Sequence, residues 1–293
     1  MVTHLRANIQ HSIMAKTEVV ERYFDDAHEK FGKLLLEQGY DGEAEKFQIQ
    51  VLDARSRTLG EEHLDTITAM GYLACTYEKL GRYADAENLQ IKVLDLQNKY
   101  FGKEHSHTIG AMSNLAITYI RLRRYGDAEK LQIKALDLRY RILGEENPHT
   151  INAMSDLANT YDILGKCADA EKLQIKALDL RNRLFEEHPH TIKAMGDLAY
   201  TYHSLGKYGD AEKLQINVLD QSHRLLGEDH PDTIMAMENL ASTFYHLQKY
   251  TDAARLTIQV VNARKKIFGE EHLKTVRAVA FLADIRSQGN RNT

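Results

Sequence analysis

Two pairs of histidines, His105 with His107 and His188 with His190, stand two residues apart, with Glu104 and Glu187 beside them. Imidazole and carboxylate in that arrangement can ligate a transition metal, and zinc would need several such donors within about 2 Å of one ion. Both pairs, however, sit at the same place in a repeated segment, near the starts of helices, and consecutive segments lie a helix pair apart. They read as repeated linker residues, and no metal is expected. Cys75 and Cys167 occupy different positions of that repeat, so they read as reduced thiols rather than a disulfide or a metal knuckle. Catalysis would need a nucleophile with its base, a phosphate loop or a metal motif. The chain contains no Gly-x-Gly-x-x-Gly, no Gly-Lys-Ser/Thr and no His-Glu-x-x-His. The expectation is a protein that is not an enzyme and that takes no cofactor.

The elements that would position any site follow from an internal ruler. Thr-Ile or Thr-Val occurs at Thr66, Thr108, Thr150, Thr191, Thr233 and Thr275, at spacings of 42, 42, 41, 42 and 42 residues. The short step has a visible cause: Gly144 has no counterpart between Phe185 and Glu186. Ala-Met pairs (Ala69-Met70 to Ala236-Met237) and Leu-Gln-Ile triplets (from Leu89 to Leu214) keep the same step. Such self-similarity marks a repeat array. Within a repeat, Ala69, Met70, Leu73, Ala74, Tyr77 and Leu80 follow the i, i+3, i+4 rhythm of a helix with one buried stripe, helix A. After Gly81-Arg82 the rhythm resumes through Ala86, Leu89, Val93 and Leu96 as helix B, and the short turn makes the two antiparallel. Pro148, Pro189 and Pro231 share one linker position, suited to the first turn of the next helix. Acid-base pairs at i, i+4, such as Asp53 with Arg57 and Asp95 with Lys99, read as scaffold. The predicted organisation is an N-terminal cap segment over 1–23, six hairpins over 24–274, and a C-terminal capping helix and tail over 275–293, with Phe281 covering the end of the stack.

A net charge of -4 disfavours a phosphate-binding surface, so nucleic acid is not an expected partner. Residues 1–20 have no continuous apolar run, hence neither a secretory signal nor a membrane span is expected, and the chain reads as soluble and cytoplasmic.

The segments Asn114-Leu115-Ala116-Ile117-Thr118-Tyr119, Arg124-Tyr125-Gly126-Asp127-Ala128-Glu129 and Leu143-Gly144 resemble the tetratricopeptide repeat family, in its long-repeat branch found in kinesin light chains and nucleotide-binding receptor proteins. The resemblance spans about residues 24–289. It implies an all-α, right-handed α-solenoid of helix-turn-helix repeats, and a concave groove, lined by helix A, that binds a protein or peptide partner. Inward positions counted from Leu73 and its equivalents give the candidate groove residues Tyr72, Asn114, Asp156, Asn159, Asp162, Asp197, Tyr200, His203, Asn239 and Tyr245. A clamp for a chain-terminal carboxylate needs charge-assisted donors, and Arg121 and Lys193 are too few and too scattered. Amide and acidic groups suit an extended backbone or a basic segment instead. End-to-end self-association through the terminal helices is the alternative role.

Overall fold

The computed structural model describes residues 29–184 and 189–291, which form thirteen helices and no strand. The segment 1–23 and the short linker after Phe185 lie outside the described residues. The A helices are α1 (29–37), α3 (Leu64–Lys79), α5 (Ser106–Arg121), α7 (Pro148–Ile163), α9 (Pro189–Ser204), α11 (Pro231–His246) and α13 (Leu273–Arg291). The B helices are α2 (Asp41–Thr58), α4 (Tyr83–Phe101), α6 (Tyr125–Leu143), α8 (Cys167–Leu184), α10 (Tyr208–Leu226) and α12 (Tyr250–Phe268). The architecture is an α-solenoid of antiparallel hairpins. It divides into two compact units, residues 1–142 with α1 to α6 and residues 143–293 with α7 to α13.

Each joint follows from a few side chains. The ruler threonines are buried, and the hydroxyls of Thr66, Thr108 and Thr275 donate to the carbonyls of Gly60, Gly102 and Gly269 at 2.8, 2.9 and 2.8 Å. That bond ties the start of an A helix to the end of the preceding B helix. His63, His105, His230 and His272 cap the A helices, their Nδ1 accepting from the backbone N–H two residues on, and Asn147 does the same for α7 through Oδ1. Such caps satisfy donors that a helix start leaves orphaned. The hairpin turn needs a left-handed residue, supplied by Gly81 (φ 74°), Gly165 (72°) and Gly206 (73°), but by Arg123 (59°) and Gln248 (60°) in two repeats. The next cation returns to the stack: Arg82 reaches Glu45 at 2.5 Å and Lys207 reaches Glu171 at 2.6 Å, each also standing over an aromatic ring, Tyr77 or Tyr202.

The core lies along the seam between A and B helices. Ala74, Ala116, Ala158, Ala199 and Ala241, with Ala86, Ala128, Ala170, Ala211 and Ala253 opposite, are fully or almost fully buried, which lets helix axes approach closely. In the first unit Ile67 and Met70 of α3 pack with Val93 of α4 and Ala111 of α5. In the second, Leu178 of α8 packs with Ile192, Met195 and Leu198 of α9, and Leu256 and Val260 of α12 with Met237 and Leu240 of α11. All five core methionines of the Ala-Met pairs are buried, each worth about 1.5–3 kcal/mol of burial. Of the i, i+4 pairs, Asp53–Arg57, Asp137–Arg141 (3.3 Å), Asp179–Arg183 (3.1 Å) and Asp220–Arg224 (3.3 Å) close, whereas Lys99 turns to Glu62 at 2.8 Å.

The last helix departs from the expected cap in one respect. Phe281 does not cover the end: it turns inward, its ring 5.6 Å from that of Tyr245. The uncovered side of α13 carries Val276 (50 % exposed) and Val279 (44 %), at positions where Ile234 and Met237 are buried beneath a B helix. The helix continues through Gly289 to Arg291, and Gly289 lies against Tyr250, where an added Cβ would stand 3.4 Å from the tyrosine Cβ.

Candidate partner-binding face

The candidate residues all lie on A helices. In the first unit Tyr72 lies on α3 and Asn114 on α5. In the second, Asp156, Asn159 and Asp162 lie on α7, Asp197, Tyr200 and His203 on α9, and Asn239 and Tyr245 on α11. Asn114, Asp156, Tyr200 and Asn239 are exposed; the other six are half-buried.

Several of these groups are engaged in holding the repeats together. Asp162 Oδ2 accepts from Gln174 Nε2 at 2.9 Å and from Thr201 Oγ1 at 2.7 Å, riveting α7 to α8 and α9. Burial pushes the Asp162 carboxyl above the usual aspartate range, and the bonds from Thr201 and Gln174 pull it back. Glu78 does the same work in the first unit, accepting from Gln90 Nε2 at 2.9 Å and from the Thr118 hydroxyl. His203 faces Ser242 Oγ at 3.4 Å and the His246 ring at 4.9 Å, and burial, then the His246 charge, lowers its proton affinity. Tyr245 packs beside Tyr250 and Phe281. Tyr200 stands 61 % exposed, and near the start of α11 so does Met235, at 54 %.

The B helices supply cations that a reading of helix A alone passes over. Eight residues after the leucine or phenylalanine that opens the Gln-Ile signature come Arg55, Gln97, Arg139, Arg181, Ser222 and Arg264. Arg181 is buried, and its guanidinium donates to Asn152 Oδ1 at 2.9 Å and Ser155 Oγ at 3.1 Å on α7. Burial lowers its proton affinity, and Asp197 and Asp156 oppose that. Asp197 is the mirror case: burial raises its carboxyl, while Lys193 and Arg181 draw it down. The acidity of α7 and α9 is therefore partly balanced from within. Arg55 and Arg264 bond the first-turn carbonyls of Asp65 and Lys274 at 3.0 and 2.8 Å, and Arg264 also pairs with Glu238 at 2.6 Å. The recurrence of arginine at one step of the ruler is the sequence signal that could have revealed this row.

The linker histidines take a structural part as well. His105 caps α5 and stacks on Phe101 at 4.4 Å, with His107 5.0 Å away. Cys75 and Cys167 are free. No helix among the described residues is long and apolar enough to cross a membrane.

Antiparallel hairpins with alanine at the close approaches and a tyrosine or phenylalanine before the turn define a class of helical-repeat proteins. The sequence profile of the tetratricopeptide repeat matches in five overlapping stretches, 25–99, 72–141, 107–183, 157–215 and 190–266, and the chain belongs to that family. No curated protein sequence matches it significantly. Among solved structures, a Podosopora anserina protein of nearly identical TPR-like repeats, described as a kinesin light chain, superposes with a TM-score of 0.63 at 22% identity, over 71% of this chain and 99% of that one. BtubC (BKLC) from P. vanneervenii gives 0.64 at 19% identity, over 79% and 91%. A Rap protein complexed with Competence and Sporulation Factor gives 0.61 at 14% identity, over 99% and 80%. At these identities the likeness is one of fold.

Proposed function

We propose that this protein is an interaction scaffold whose helix-A face receives a segment of a partner protein, as the recognition module of a receptor or adaptor acting in the cytoplasm. One observation carries the reading. On a framework whose buried positions repeat almost unchanged, the A helices expose a changing set of side chains, Asn114, Asp156, Tyr200, Met235 and Asn239 among them. Exposed aromatics beside hydrogen-bonding groups are what interface hot spots are made of. The chemistry offered is amide and acid with aromatic contact, suited to an extended backbone or a segment carrying basic side chains. The Rap structure with its bound factor supports the fold's capacity for such a role.

The test is affinity capture with mass spectrometry, wild type beside Asn239→Ala with Tyr200→Ala. Both positions are exposed and make no hydrogen bond or ion pair among the described residues, so neither change disturbs the packing. Asp156→Lys and Asp197→Lys are unsuitable because each would set a cation against the buried Arg181. Loss of a protein that wild type captures is expected, and identical capture would overturn the assignment of this face.

Self-association through α13 is the second reading, favoured by the exposure of Val276 and Val279. It is opposed by Arg286, which stands where Phe244 and Tyr202 occupy the other A helices, and by the excess of Lys274, Arg277, Arg286 and Arg291 over Asp284. Sedimentation over a concentration series decides: growth that Val279→Asp abolishes supports assembly, and a monomer throughout excludes it.

A further inference from the structure

Five B helices place a buried glutamine at one position: Gln48, Gln90, Gln132, Gln174 and Gln215. In α12 the residue there is Thr257, equally buried, whose hydroxyl turns back to donate to the Ala253 carbonyl at 2.7 Å. The longer amide side chain is thus replaced by a short one, and a cavity of about 110 Å³ opens between α11, α12 and α13. Ala241, Val260, Ala278 and Phe281 give it apolar walls. Glu238 and Arg264, at its edge, neutralise one another. Arg277 also lines it, is exposed, and has no hydrogen bond or ion pair among the described residues.

We infer that this cavity is an anchor site for one aliphatic side chain of a partner peptide, with a neighbouring Asp or Glu of that peptide paired to Arg277. The inference rests on the reading that the helix-A face of the second unit receives a partner chain, and it names the chemistry taken at its α11–α13 end. Size selects the anchor. The cavity is smaller than the apolar cavity of about 150 Å³ that accepts a benzene ring, so leucine, isoleucine, valine or methionine fits and an indole does not. Charge selects the neighbour, because Arg277 leaves an uncompensated guanidinium beside an otherwise balanced rim, and guanidinium pairs with carboxylate in a two-pronged geometry. The resulting demand is opposite in sign to that of the acidic α7–α9 end.

The experiment selects binders from a random twelve-residue peptide library displayed on phage, using the full chain, and measures the selected peptides by fluorescence anisotropy. Peptides joining an aliphatic residue to an adjacent acid are expected. Thr257→Gln restores the residue that every other B helix carries here, so it fills the cavity without foreign packing, and it should weaken these peptides at least tenfold. Arg277→Glu should do likewise, with binding regained when the peptide's acid is changed to lysine. A library yielding no peptide sensitive to Thr257→Gln, or peptides indifferent to Arg277→Glu, overturns the inference; thermal melts confirm that both variants fold. Asn239→Ala with Tyr200→Ala separates the two claims: peptides lost there but insensitive to Thr257→Gln leave the face standing and remove the cavity, and the converse leaves the cavity and removes the wider face.

Discussion

Single side chains in this protein divide between holding and offering. Asp162 holds. Removing its carboxylate in Asp162→Ala strands the Gln174 amide in a buried setting, at a cost of about 1–3 kcal/mol, readable as a lower urea midpoint. Asp197 is costly where it stands. Burial, the largest influence, raises its carboxyl, so the folded state binds that proton more tightly than the unfolded chain does. Its contribution is most favourable below the pH where an ordinary aspartate titrates, about 3.9, and is lost as pH rises through the elevated folded value. Asp197→Asn is therefore expected to raise the melting temperature at pH 7, with the gain vanishing below about pH 4. Melts across pH check this, and a gain that grows in acid contradicts it. The candidate acids were legible in the sequence because the ruler fixes which helix-A positions turn outward. Their partners were not: Gln174, Arg181 and Thr201 come from other helices, and only packing shows that Asp162 is occupied while Tyr200 is free.

At the scale of elements, helices and turns could be read closely, since their causes are local: a 3.6-residue rhythm, proline at a helix start and glycine at the turn. Arg123 and Gln248 escape that logic, because they hold left-handed turns that glycine fills elsewhere. A non-glycine residue in that region costs roughly 1–2 kcal/mol, partly offset by the extra freedom glycine gives the unfolded chain. Arg123→Gly and Gln248→Gly should each stabilise the fold by up to about 1 kcal/mol in denaturant titrations, whereas Gly165→Gln should destabilise it. The histidine caps were equally hidden, as cap geometry depends on which ring nitrogen faces the backbone. His105 is the clearest case, since its Nδ1 accepts from the His107 backbone N–H. His105→Ala should lose about 1 kcal/mol of cap and His105→Asn, copying Asn147, should keep it, seen as shifts in the urea midpoint.

For the molecule as a whole, a stack of hairpins has neighbours on both sides of each interior element and on one side only at its end. Met237 and Val279 occupy the same position of the ruler, one 1 % and the other 44 % exposed. Met237→Ala should cost about 2–5 kcal/mol, but Val279→Ala no more than about 0.5 kcal/mol. Equal losses in denaturant midpoint would show that something covers α13 in solution. The repetition of one hairpin was legible because the ruler recurs, while the inward turn of Phe281 was not, since it depends on the space that Tyr245 and α12 leave. The ruler threonine itself has a broader meaning. Where its hydroxyl locks onto the glycine carbonyl of the helix before it, each seam is closed by residues of its own, with nothing borrowed from farther along. A block running from one such threonine to the next behaves as a cassette: duplicated or excised, it leaves matching seams behind. A lineage built on it can lengthen or shorten its reading surface row by row, and recode each row separately, without redesigning the spine.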